Sequence, residues 1–404
     1  MKLVKACDIY VPNKNVDIKK WAVVACDQYT SEEEYWQDVE QYVGSDPSTL
    51  KIIYPEVYLE EGLEKKEARL NKINKLMREY IDDETIIPLK ESMILVDRAI
   101  DIRHRIGVIC SIDLEEYDYN IEKEALIRAT EQTITSRIPP RLEIRKDAVI
   151  ELPHILILID DPKREIIEKL YTMRNDFEKI YDFELMKNGG NIKGYCIKNS
   201  ELIEDFNRKI VLNIKDKIAM VVGDGNHSLA TAKDHWNNIK KDLTAEMIDN
   251  HPARYALVEI ENVYDEGLDF LPIHRSIFNI NPEKFVKQFK DEISGNGKIQ
   301  FYYNGQLENV NVSSNSIESV KQVQNFIDKY LKENKEVSVD YIYGDENLKY
   351  VCDQKQGLGI LMNPIEKGDL FQYVGKKQVL PKKTFSMGNA YEKRYYIESK
   401  IIKA

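Results

Sequence analysis

The stretch Ile218-Ala-Met-Val-Val-Gly-Asp-Gly-Asn-His-Ser-Leu-Ala-Thr-Ala-Lys233 decides how this chain is read. It runs from a buried apolar strand through a tight polar loop into a helix whose first turn begins near Asn226. Asp224, Gly225, Asn226, His227 and Ser228 crowd into that loop. A strand feeding a helix start aims unpaired backbone N–H groups and a partial positive charge at whatever lies above it. The plain alternative is an ordinary turn with a capping Asp or Asn. Glycine, aspartate, asparagine and histidine falling together favour chemistry.

The segments around this stretch set the fold class. His154-Ile-Leu-Ile-Leu-Ile-Asp160 is a continuous apolar run of the kind buried strands show. Asp161-Pro162 is expected to start a helix with Ile166, Ile167, Leu170, Tyr171 and Phe177 facing inward. Asn188-Gly-Gly-Asn191 marks a turn, Gly194–Ile197 a strand, Ser200 a helix cap, and Tyr255–Ile260 another strand. Upstream, Trp21–Cys26 reads as a strand that ends at a corner holding Asp27. Ser31 and Glu34 there have capping-box spacing. An amphipathic helix is expected over 62–82, and Ser92–Asp97 with Ile106–Ile112 forms an antiparallel pair. Residues 121–136 read as a helix carrying Arg128, Glu131 and Thr133, broken by Pro139-Pro140. Arg137, Arg141 and Arg145 beside the prolines form a candidate anion clamp, because guanidinium forks match phosphate and carboxylate geometry; a solvated charged loop is the alternative. The class is therefore α/β to α+β mixed, with mixed sheets and flanking helices.

Beyond about 280 the chain changes character, with Asn/Gly/Ser-rich turns between short elements. The division expected is a main α/β domain over 1–279, with a sub-boundary near 150, and a smaller α+β domain over 280–404. A second polar cluster, Leu271-Pro-Ile-His274-Arg275, is expected in a loop.

The 404 residues carry 43% hydrophobic and 31% charged side chains and a net charge of −11. That balance belongs to a globular protein and argues against a phosphate-backbone or anionic-membrane surface. The five cysteines are scattered without Cys-x-x-Cys spacing, which fits reduced thiols and a cytoplasmic location. Met1-Lys-Leu-Val-Lys-Ala lacks the apolar run of a signal peptide. His104, His154, His235 and His251 lie in no motif and are expected to be structural or surface residues.

Four clusters in order carry a resemblance. Glu131-Gln-Thr133, Asp224-Gly225-Asn226-His227-Ser228, Leu271-Pro-Ile-His274-Arg275 and Leu380-Pro-Lys-Lys383-Thr384 resemble the motifs of the bacterial and archaeal family called domain of unknown function 1015. In that family the loop reads Asp-Gly-His-His-Arg, so Asn226 and Ser228 are departures here. The family loop is similar to that of the ParB/sulfiredoxin-like group, which includes free-serine kinases. The resemblance implies phosphate handling, with ATP or ADP and Mg²⁺ as cofactors and a small phosphorylated metabolite or nucleotide as partner.

Three readings follow. The first is a nucleotide-dependent phosphotransferase acting on a small hydroxyl substrate such as serine. In it Gly225, Asn226 and Ser228 cradle the anion and Asp224 holds a metal. His227 or Glu131 is the base, His274 and Arg275 stabilise developing charge, and Arg137 and Arg141 supply cations. The second is a metal-dependent hydrolase in which Asp224, His227 and His274 are ligands. The third is a non-catalytic small-ligand sensor or scaffold.

Overall fold

The computed structural model describes residues 2–381 and 383–403, and among the motif residues Lys382 lies outside the described residues. Contacts divide the chain into a first unit, 1–268 joined by 389–404, and a second unit, 269–388. The crossing thus falls at 268/269 rather than at 279/280, and the last segment returns to the first unit. The reason is strand pairing. Phe270–Phe278 belongs to the second sheet, whereas Tyr395–Tyr396 pairs with Val23–Val24 and Lys400–Ile401 with Ile150–Glu151.

The first unit is organised by an eleven-stranded mixed sheet. Its path runs Glu178–Glu184, Asn191–Ile197, Ile86–Ile100, Arg103–Asp113, Tyr255–Asn262, Leu156–Ile159, Met220–Asp224, Ile127–Arg128 and Tyr117–Asp118. The long strands Ile86–Ile100 and Arg103–Asp113 pair antiparallel, as their apolar runs predict. Tyr255–Asn262 pairs parallel with Leu156–Ile159, and Met220–Asp224 pairs antiparallel with the same strand. Alternation places Val108, Cys110, Ile157, Met220, Val222 and Val258 in one core, while Ile94, Val96, Ile109 and Leu257 enter another on the opposite face. The helix Leu63–Asp82 forms where the 3.6-residue period demands it and buries Ile73, Met77 and Tyr80.

Several local expectations give way to long-range pairing. No helix spans 121–136. Ile127–Arg128 is drawn into the sheet beside Met220–Val221, and the Thr130 hydroxyl donates to the Val222 carbonyl at 2.6 Å. Pro139 and Pro140 sit in the first turn of the helix Ile138–Arg145, where a missing N–H is harmless, so they begin a helix rather than break one. Asp161-Pro162 forms a turn, and the helix begins only at Ile167. The helix Glu33–Val43 starts from Glu32 with no capping side chain, so the Ser31–Glu34 box is not formed.

The second unit is an antiparallel sheet in the order Gln306–Val312, Gly297–Tyr303, Leu358–Leu361, Phe270–Phe278 and Ser338–Tyr343, with Phe385–Met387 on one end of Phe270–Phe278. Its largest helix, Ser316–Glu333, buries Ile317, Val320, Val323 and Ile327. His274 and Arg275 are not in a loop. They sit mid-strand in Phe270–Phe278, which is paired on both sides from Arg275 to Ile277.

Candidate functional site

The loop strand Met220–Asp224 slips register between Val222 and Asp224 opposite Ile157 and Leu156. Such a bulge bends a strand end and re-aims the residues that follow. Gly225 then takes φ +83°, and a Cβ there would lie 3.1 Å from Ile155 Cγ1 and 3.2 Å from Ile155 Cα. Only glycine adopts this corner without strain. The helix Asn226–Ile239 begins at once with Gly225 as its cap, so no cap side chain engages the first-turn N–H groups.

Each loop side chain has a distinct set of partners. Asp224 Oδ1 accepts from the Gly225 N–H at 2.9 Å, and Oδ2 lies 3.1 Å from Lys393 Nζ. Asn226 is buried; its Oδ1 accepts from the Thr130 N–H and its Nδ2 donates to Thr130 Oγ1, both at 3.2 Å. Asn226 therefore ties the 130–134 segment, Glu131 included, to the loop. His227 Nε2 accepts from the Ile134 N–H at 3.3 Å. Burial, with Arg141 and Arg137 adding to it against Asp27, holds the His227 pKa down at about 4. A neutral imidazole whose ring nitrogen already accepts a backbone N–H is a poor general base.

Ser228 leads into a chain of polar contacts. Its Oγ lies 2.9 Å from His154 Nε2, which is also 3.6 Å from Asp27 Oδ2. His154 Nδ1 lies 2.7 Å from the Tyr396 hydroxyl, which also contacts Cys26 Sγ at 3.1 Å. The one proton of the Tyr396 hydroxyl is donated to Cys26 Sγ, and the His154 ring links that hydroxyl to Ser228. Burial raises the Asp27 pKa, but His154, Gln28 and Lys393 outweigh it and hold the carboxyl below its usual range. Arg141 donates to Glu56 and, at 2.8 Å, to the Arg137 carbonyl. Burial raises the Glu56 pKa against the pull of Arg141.

The fold therefore brings Asp224, Gly225, Asn226, His227 and Ser228 together with Arg137 and Arg141, whose charges act on His227. His274 and Arg275 lie within the second unit and have their partners there. His274 Nδ1 accepts from the Met362 N–H at 3.1 Å, and Nε2 lies 2.9 Å from Asp345 Oδ1. Arg275 is fully buried, donates to Ile273 O and Gln324 Oε1, and lies over the Tyr341 ring. Among the described residues, no group of three or more His, Cys, Asp or Glu is arranged to hold a metal ion. Nor is any helix among them long and apolar enough to cross a membrane.

Three site residues escape sequence reading. His154 had one signal, a polar residue heading the most apolar strand. Tyr396 and Lys393 had none, because each meets its partner only through the returning C-terminal segment.

The family model described as "Protein of unknown function (DUF1015)" matches residues 8–366. No curated protein matches the sequence. Similar solved structures include a conserved hypothetical protein from Pyrococcus furiosus, at 12% identity over 74% of this chain and 95% of that one, with TM-score 0.34. They also include a free serine kinase in complex with AMP, at 10% identity over 74% and 91%, with TM-score 0.38. A C-terminally truncated SbnI from Staphylococcus aureus is 10% identical over 69% and 82%, with TM-score 0.35. Likeness at that level says nothing of chemistry.

Proposed function

We propose that this chain, which belongs to the DUF1015 family of proteins of unknown function, is a phosphate-directed enzyme that transfers a phosphoryl group from a nucleotide to a small hydroxyl substrate. The observation that carries this reading is the convergence, in one unit, of an uncapped helix start, two arginines and the Ser228–His154–Asp27 chain. Phosphoryl transfer needs positioning and charge stabilisation more than covalent chemistry from the protein, and those are the resources present.

The residues fit a phosphate group. Thr133 Oγ1 is buried with no hydrogen-bond partner among the described residues. Arg137 and Arg141 supply charge without needing Arg275. Asp224 already faces the Lys393 ammonium, so a Mg²⁺ at that carboxylate would have to displace or share it. The donor set fits an anion, and no step is routed through a metal.

A nucleoside triphosphate supplies the transferable phosphoryl group when bound. Asp27 takes the proton of the substrate hydroxyl as its oxygen bonds to phosphorus, and the departing diphosphate keeps the electrons of the broken P–O bond. His154 holds the Asp27 carboxylate in place from Nε2. In this reading Asp27, about a quarter exposed, serves as the base ahead of His227, whose Nε2 is taken up by the Ile134 N–H.

A thermal-shift screen of nucleotides, phosphorylated metabolites and divalent metals tests this, since a ligand that binds the native state raises its melting temperature. ATP or ADP is expected to stabilise the protein, and free serine is the first hydroxyl to assay with ATP. No shift with any phosphate compound overturns the reading. Stabilisation without turnover on any hydroxyl would instead favour a ligand-binding protein.

A further inference from the structure

We infer that Lys393, delivered by the C-terminal segment, is the cation that completes the anion site beside the uncharged Ser228. This rests on the phosphate-directed reading above but goes beyond it, because Lys393 lies outside residues 8–366 and belongs to no motif.

The case begins with how firmly the segment is held. The buried Arg98 guanidinium donates to four backbone carbonyls. Its Nε and Nη2 reach Gly189 O at 3.0 and 2.9 Å. Its Nη1 reaches Glu392 O at 2.9 Å and Lys393 O at 2.6 Å, and Nη2 reaches Tyr391 O at 2.7 Å. Arg105 donates to the Glu392 carbonyl at 3.1 Å, and Arg103 to its carboxylate at 2.7 Å. Beyond Lys393, Arg394 lies 2.8 Å from the Glu259 carboxylate and also bonds Glu398, all three fully buried. Burying this much charge is unfavourable unless the geometry is well satisfied. A fixed backbone at 391–394 sets where the largely buried Lys393 side chain starts.

That side chain ends at the loop. Its ammonium is 3.1 Å from Asp224 Oδ2, and its charge also lowers the Asp27 pKa. The Asp224 carboxylate thus orients the ammonium, which carries three N–H donors. The contact with Asp224 uses one, leaving donors for a phosphate oxygen above the helix start. Lysine acts on phosphates as a compact point charge of this kind.

The test is calorimetric titration of the full chain with inorganic pyrophosphate, alongside melting curves. The wild type is expected to bind. Lys393→Met should bind about tenfold more weakly or worse, the loss expected for a charged hydrogen bond, while Lys393→Arg should stay within about threefold of wild type. In the double variant Ser228→Arg with Lys393→Met, a guanidinium beside the same helix start should restore most of the affinity. Should Lys393→Met fail to fold, Lys393→Gln, which keeps a donor toward Asp224 but no charge, takes its place and should show the same loss; affinity within about threefold of wild type in folded Lys393→Gln overturns the assignment. Failure of wild type to bind pyrophosphate, ATP or ADP overturns the phosphate reading itself. Wild-type binding that folded Lys393→Met retains, or that Ser228→Arg does not restore, overturns the assignment of Lys393 and leaves the reading standing.

Discussion

The Asp224–Ser228 loop and the His274–Arg275 pair look alike in sequence: each sets a histidine among polar residues just after an apolar or proline-containing stretch. In the fold they part. The loop ends a strand at a bulge and opens on a helix start, with carboxylates, imidazole and hydroxyl arranged around the corner. The pair lies mid-strand, with both His274 nitrogens and the Arg275 guanidinium satisfied inside its own unit. A polar residue at a strand's end meets solvent and ligand, whereas one in the middle of a doubly paired strand must find protein partners or be too costly to bury.

The sharpest way to break this contrast is Asp27→Asn. Turnover should fall roughly 100- to 10,000-fold, the usual contribution of a general base, while nucleotide binding is retained. Undiminished turnover would remove Asp27 from the chemistry. On the other side of the comparison, Arg275→Ala should cost about 3 kcal/mol of folding free energy in urea unfolding, because the Ile273 and Gln324 oxygens lose a buried donor. Its pyrophosphate affinity should be unchanged. Intact stability with lost affinity would return Arg275 to the site.

A smaller effect is expected at the corner itself. Gly225→Ala should destabilise by about 1–2 kcal/mol, since φ +83° disfavours a Cβ and the Ile155 backbone stands in its way. A further effect concerns acid. His227 has a folded pKa of about 4, below its ordinary value near 6.5, so the unfolded chain binds the proton more readily between those values. Stability should therefore fall as pH drops from 6.5 to 4, with no further loss from this group below that. His227→Gln should flatten that slope in melting curves taken across the window. His235, held at about 4 mainly by burial, contributes a parallel slope that remains as the internal control.

Much of the first unit was legible because its signals are local. The apolar run at 154–160, the hairpin pair at 92–112 and the helix at 62–82 follow from periodicity alone. So does the strand, loop and helix start at 218–233. The helix expected over 121–136 failed because its apolar spacing also suits a strand, and the Val221 and Val222 backbone offered a partner that no local pattern reveals. The prolines at 139 and 140 look like a stop in sequence, but their fixed φ and missing N–H suit a start equally well.

What the sequence by itself determined is a polar corner: a glycine followed by polar side chains where a strand runs into a helix start. What only the tertiary structure decided is which groups complete it. His154 and Tyr396 are separated by 242 residues, and Lys393 arrives after the chain has left the first unit and returned. Local propensity encodes strands, turns and caps within a few residues, but the identity of a base or a cation depends on contacts made only when distant segments pack.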